Sequence, residues 1–217
     1  MIITAVQRTP KRRGRVDVFV DGAPAFDVAR SVAVAHGLRP GASIAREQID
    51  AIVAADVRRQ ALDVAGAMLA RRPRSEREVR LRLKQRKFEP ALVDETVRKL
   101  VSAKLLDDAE FARSWTESRD RTSPRGRRLI VQELRVNGVE AGVAQEAALA
   151  VSDEDAAYRL ASRRLRSLER LEHEAFRNRL GAYLQRRGFG WDVCRATVAR
   201  CWRELGRDAA EDEAAGL

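Results

Sequence analysis

The sequence predicts a mainly α-helical chain of tandem three-helix repeats in an elongated, curved array, with a small β-like segment at its N-terminus. Three observations lead there. Aromatic residues make up only 5% of the chain, too little material for a sandwich or barrel core. The hydrophobic fraction, 45%, is too large for a disordered chain. Finally, three stretches superpose without a gap when Leu83, Leu134 and Leu184 are aligned, at offsets of 51 and 50 residues, and such periodicity is the signature of a repeat architecture.

Residues 1–42 read as a β-hairpin-like segment with a basic arm. Val16, Val18 and Val20 alternate with Asp17 and Phe19, and Asp21-Gly22 follows as a hairpin-turn signal. The return strand is expected over 25–28. Before the hairpin, Arg8, Lys11, Arg12, Arg13 and Arg15 occur with no acid among them, which reads as a basic arm or loop. A short helix over 30–36 is expected to end at Gly37. Arg39-Pro40-Gly41 then forms a turn, and Ser43 is placed to cap the next helix.

The first helical repeat, with its leading helix, is assigned to 43–105, the second to 106–151 and the third to 152–205. Relative to the leucine anchor, apolar residues recur at −4 (Val79, Ile130, Leu180), +5 (Phe88, Val139, Phe189), +9 (Leu92, Val143, Val193) and +14 (Val97, Ala148, Val198). At +4 stand Lys87, Gly138 and Gly188, where a helix ending just after the anchor needs a left-handed residue, so Lys87 should cap less well than the glycines. A further amphipathic segment precedes each aligned pair, over 56–71, 108–121 and 154–168. Ser75 with Glu78 and Asp107 with Glu110 form capping boxes, Leu106 and Phe111 form a hydrophobic staple around the second, and Gly126 serves as an N-cap. Residues 206–217, with Asp208, Glu211, Asp212 and Glu213, read as an acidic disordered tail.

Charge is the main clue to a partner. The chain carries 42 Lys+Arg against 32 Asp+Glu, a net +10, which favours acidic partners. Residues 71–87 hold nine basic against two acidic residues, 159–187 nine against three, and 113–135 seven against three. Arg77, Arg80 and Lys84 share one helical face while Val79 and Leu83 point elsewhere. Only five residues are lysine, so the positive charge is nearly all arginine. Genome composition explains arginine over lysine but not a basic excess in every repeat. The candidate partner-binding residues are therefore Arg71, Arg72, Arg74, Arg77, Arg80, Lys84, Arg125, Arg127, Arg128, Arg163, Arg164, Arg186 and Arg187.

Other classes find little support. The longest apolar stretches fall far below the ~18 to 20 residues that a bilayer crossing needs, so no membrane association is expected. Residues 1–10 lack the features of a secretory signal, and a cytoplasmic location is expected. His36 and His173 have no nucleophile in a recognisable motif, no phosphate loop occurs, and two Cys with two His at scattered spacings make no metal site. No enzyme, cofactor or metal is predicted. Cys194 and Cys201, roughly 10 Å apart if on one helix, are too far apart to bridge and read as small core residues. Trp115, Trp191 and Trp202 could stack on bases, but core packing is the expectation for all three.

Several of these motifs together resemble the RecX family of bacterial regulators of the RecA recombinase. The likeness covers 56–205. It is carried by Arg74-Ser75-Glu76-Arg77-Glu78-Val79 with Leu83 and Lys87-Phe88, by Leu106-Asp107-Asp108 with Phe111-Ala112, by Gly126 with Gln132-Glu133-Leu134 and Gly138-Val139, and by Tyr183-Leu184-Gln185-Arg186-Arg187-Gly188-Phe189. The resemblance implies tandem three-helix repeats and no enzymatic activity. It further implies binding in the groove of a RecA filament on single-stranded DNA, with modulation, usually inhibition, of strand exchange, ATP hydrolysis and repressor cleavage. Weak direct DNA binding and a monomeric state are expected alongside. The rival reading is a direct DNA-binding protein of helix-turn-helix type, since a three-helix unit with one basic helix also suits that role.

Overall fold

The computed structural model describes residues 1–10 and 12–206, so the expected acidic tail lies almost wholly outside the described residues. The chain divides into two compact units, Met1–Arg71 with Arg80–Ser102, and Arg72–Val79 with Ala103–Leu217. Most of it is helical, as the composition predicts.

The first unit begins with three antiparallel strands, β1 (Ile3–Arg8), β2 (Arg15–Val20) and β3 (Ala23–Ala29), ordered β1-β2-β3. The β2–β3 turn is as expected: Asp21 and Gly22 both take positive φ, 50° and 83°, the geometry that suits the twist of a tight hairpin. Val16, Val18 and Val20 are buried on one face with Ile3, Val28, Val32, Ile44, Ile49 and Ile52. β1 adds a strand that the hairpin reading lacked. Only Ile3 of its six residues is buried, so it carries no alternating signal.

Helix α1 (Arg30–Ala35) ends before Gly37, whose φ is +60°. Ser43 is not the cap of the following helix. It pairs in an isolated bridge with Ile2, and the Ile44 N–H donates to Met1 O (2.9 Å), which keeps the backbone extended until Ala45. Helix α2 (Arg46–Leu69) is capped at Ala45, whose N–H donates to Gln48 Oε1 at 2.8 Å. In the basic segment Arg15 bonds Asp27 (2.6 Å) and Asp56 (2.8 Å), and Arg12 bonds Asp27 (3.2 Å). Asp56 is buried and also accepts from Ala29 N–H and Gln60. Burial alone pushes its carboxyl up, but those two bonds and the Arg15 guanidinium outweigh this and hold it below its ordinary value. The rest of helix α3 (Glu76–Gln85) and helix α4 (Pro90–Ser102) complete the unit.

The second unit takes the first turn of α3 and then helices α5 (Asp108–Thr122), α6 (Arg127–Val136), α7 (Ala141–Ala148), α8 (Asp153–Ser162), α9 (Leu165–Leu168), α10 (His173–Arg186) and α11 (Trp191–Glu204). The expected segment 154–168 is broken into α8 and α9. At the break Ser162 Oγ donates back to Tyr158 O (2.8 Å), a competition with the helix ladder that bends helices.

The repeat register holds in both units. Positions −4 and 0 are fully buried in all three repeats, while Leu92, Val143 and Val193 at +9 are half-buried and their neighbours Val93, Ala144 and Cys194 are the buried ones. Lys87, Gly138 and Gly188 take φ of 62°, 90° and 87°. The Ser75–Glu78 capping box forms in both directions (3.3 and 3.2 Å). Asp107 accepts from the N–H groups of Ala109 and Glu110, but Glu110 turns away to Arg113, so only half of that box forms.

Candidate interaction surface

In the second unit the second helix of one repeat meets the turn that follows the second helix of the next. Gly126, the α6 N-cap, donates its N–H to Arg187 O at 2.9 Å, and a Cβ on it would stand 2.3 Å from Gly188 O. At the preceding junction Ser75 Oγ donates to Asn137 O (2.7 Å), and a Cβ on Gly138 would lie 2.6 Å from Arg77 Cβ. Each junction is latched by an aspartate: Glu76 N–H donates to Asp108 Oδ1 and Arg127 N–H to Asp153 Oδ1, both at 2.8 Å. Burial pushes both carboxyls above their ordinary values. These latches were not legible in the sequence, where an acid in a first turn reads as complementing its own helix dipole.

The junctions divide the candidate cations into two sets. Several are consumed inside the chain. Arg72 and Arg74 both hold Glu78 (2.6 and 3.2 Å), whose carboxyl stays low despite burial because Arg72, the Ser75 N–H and Arg74 together outweigh it. Arg80 pairs with Asp94. Arg125 pairs with Glu133, which also accepts from Arg119 (2.8 Å) and Trp115 Nε1 (2.9 Å). Burial, then repulsion from Arg119 and Arg187, pulls the Arg125 pKa down. Arg127 Nε donates to Val151 O (2.6 Å) and Arg187 to Ser123 Oγ (3.0 Å), while Arg164 lies 4.0 Å above the Tyr183 ring. Glu133 and its partners form a structural node that sequence reading missed.

The other set is exposed. Arg71, Arg77, Lys84, Arg128, Arg163 and Arg186 make no side-chain ion pair, hydrogen bond or ring contact among the described residues. Two of them come together: Arg128 on α6 and Arg186 on α10 line one recess of about 280 Å³ with Gln132, Gln185 and Gly188. Two guanidinium groups and two amides around a backbone turn can bind a phosphate or carboxylate by charge-assisted hydrogen bonds. Arg77 is the repeat equivalent of Arg128 and stands at the other junction, over Gly138.

Trp202 is buried and Trp115 packs against the core, as expected, but Trp191 is 62% exposed. It is the first residue of α11, where the helix start projects its side chain off the core face. Cys194 and Cys201 are both buried and free, two helical turns apart on the core face of α11 with Val198 between them. Among the described residues no helix is long and apolar enough to cross a membrane, and no group of three or more His, Cys, Asp or Glu could hold a metal ion.

Comparison with known families matches residues 61–100 to the first three-helix domain of RecX, 107–147 to the second and 152–198 to the third. This chain belongs to the RecX family. A regulatory protein RecX from Listeria welshimeri is 27% identical over 208 residues, covering 94% of this chain and 77% of the relative. The RecX of Bacillus subtilis is 28% identical over 213 residues, 97% and 81% of the two chains. That of Listeria innocua reaches 33% over 154 residues, which span 71% of this chain and 56% of the relative. A crystal structure of regulatory protein RecX superposes with a TM-score of 0.66 at 26% identity, over 88% of this chain and 96% of that one. Lactobacillus salivarius RecX shares the fold, with a TM-score of 0.61 at 21% identity over 70% and 98% of the two chains.

Proposed function

We propose that this RecX-family chain is a non-catalytic regulator that binds RecA filaments assembled on single-stranded DNA and inhibits their recombinase, ATPase and coprotease activities. The observation that carries the reading is the unpaired pair Arg128 and Arg186 facing one recess at a rigid repeat junction. A surface of this kind suits repeated weak contacts to a polyanionic filament, where contacts on one body add through effective concentration. The curved array, the repeat boundaries, the monomeric state and the cytoplasmic location belong to the same proposal.

Direct helix-turn-helix readout of duplex DNA is less well supported. In the second repeat the α6 N-terminus is covered by Gly188, and α7, over Ala141–Ala148, carries no basic residue, although α4 and α11 do. A groove-reading helix needs both an accessible end and cations.

The test is ATP hydrolysis by RecA preassembled on single-stranded DNA, titrated with this protein at substoichiometric ratios beside a bare-DNA control. Inhibition below one copy per RecA subunit is expected, and it should weaken in Arg128→Glu/Arg186→Glu without loss of folding. Full activity at saturating amounts together with tight duplex binding would move the assignment to the DNA-binding reading.

A further inference from the structure

Repeat equivalence exposes a difference between the third repeat and the other two. The face carrying Arg77, Arg80 and Lys84 on α3 corresponds to Arg128, Val131 and Arg135 on α6, and to Asn178, Gly181 and Gln185 on α10. At these three positions of α10 the cations are gone and a glycine sits in mid-helix, where it costs stability relative to alanine. No described residue requires that glycine, since a Cβ built on it meets none of their atoms within 4 Å. Its absence of a side chain instead opens a groove of about 690 Å³ between α10 and α11, floored by Val198 and Trp202 and edged by the exposed Trp191.

The groove is apolar along its floor and cationic along its rim. Arg177, Arg195 and Arg203 line it, no Asp or Glu among the described residues does, and Arg195 lies 4.8 Å over the Trp191 ring. From Trp191 to Trp202 along α11 is roughly 16 Å, three turns of helix. We infer that this groove receives an acidic, amphipathic helical segment of a protein partner, its apolar side chains lying along Gly181 and Val198 and its carboxylates meeting Arg177, Arg195 and Arg203. Loss of the second-helix cations just where the other repeats carry them, with gain of apolar depth, favours a protein segment over a nucleic acid strand. The inference rests on the proposed function in taking the RecA subunit of the filament as the partner.

The experiment measures binding to preassembled RecA filaments by co-sedimentation, and to a fluorescein-labelled oligo-dT without RecA. Gly181→Leu fills the groove from a position with free space and better helix propensity, so it folds and should weaken filament binding at least about tenfold. Arg195→Glu and Trp191→Ala, both on exposed residues, should weaken it as well, whereas Gly181→Ala should bind normally and be more stable. Normal filament binding by Gly181→Leu and Arg195→Glu overturns the groove assignment alone. No filament binding by the unaltered protein overturns the proposed function on which it rests. Equal losses on bare oligo-dT would make Trp191 a base-stacking platform, and tighter filament binding after removal of 207–217 would make the chain's own acidic segment the occupant; either result overturns the inference.

Discussion

Gly126→Ala isolates what a repeat junction contributes to stability. At φ −66° and ψ 151° the Gly126 backbone is one that alanine adopts freely, so the cost is steric rather than conformational. The added Cβ would lie 2.3 Å from Gly188 O, 2.5 Å from Gly188 C and 2.8 Å from Phe189 N, all backbone atoms that no rotamer change can move aside. Relief requires the junction to open, which also breaks the 2.9 Å bond from Gly126 N–H to Arg187 O. Overpacking costs about 1 to 3 kcal/mol and the lost bond about 1, offset by about 0.5 to 1 from the stiffer unfolded chain, for a net loss of about 2 kcal/mol. Trp115, Trp191 and Trp202 all belong to the second unit, so tryptophan fluorescence in urea follows that unit alone, while helical circular dichroism follows both. The fluorescence midpoint should fall by about 1 M urea, given the usual denaturant slopes for domains of this size. A midpoint within about 0.2 M of the unaltered protein would refute the claim that the repeats are joined backbone to backbone.

Lys87→Gly should stabilise the first unit by about 1 kcal/mol, because Lys87 holds φ at 62°, and urea unfolding followed by circular dichroism would show no gain if that cap were unstrained. Asp56→Asn should cost about 2 kcal/mol at neutral pH, because the neutral amide loses the charge-assisted bonds from Arg15, Ala29 N–H and Gln60 while Arg15 keeps Asp27. Because the folded-state pKa of Asp56 is depressed, its contribution is full above the ordinary carboxylate value and disappears as pH falls through the folded one. The gap between variant and parent should therefore close in acid, and a gap constant from pH 7 to 3 would contradict the assignment. The thiols of Cys194 and Cys201 should resist a disulfide reagent at pH 8 until the second unit unfolds, since burial raises both pKa values, that of Cys201 to about 11. Labelling at the rate of a free thiol in the native protein would rule this out.

The helical body was legible because one register, read from Leu83, Leu134 and Leu184, repeats three times and each anchor is completely buried. The hairpin was legible from Asp21-Gly22 and the alternating valines. β1 was not, since a strand with one buried residue leaves no pattern. The cap at Ser43 failed because a long-range bridge to Ile2 outcompeted a local preference. For the surface, net charge picks out the arginine-rich helices but does not say which cations are free. Arg72, Arg74 and Arg125 are spent on Glu78 and Glu133, and pairings such as Arg125 with Glu133 are set by how the helices pack, beyond what spacing reveals. Trp191 was misjudged for a related reason: helical register does not say that a residue begins a helix with its side chain turned from the core.

The junction geometry also sets the first of the three equivalent turns apart from the other two. Each joint pairs the start of a second helix with a bare backbone turn downstream, and that turn is glycine at 138 and 188 but lysine at 87. Downstream, α10 starts at His173, whose ring stands 4.8 Å from the Trp202 ring. A second-helix start placed on the turn at 87 would meet a lysine side chain where the two internal joints meet bare backbone.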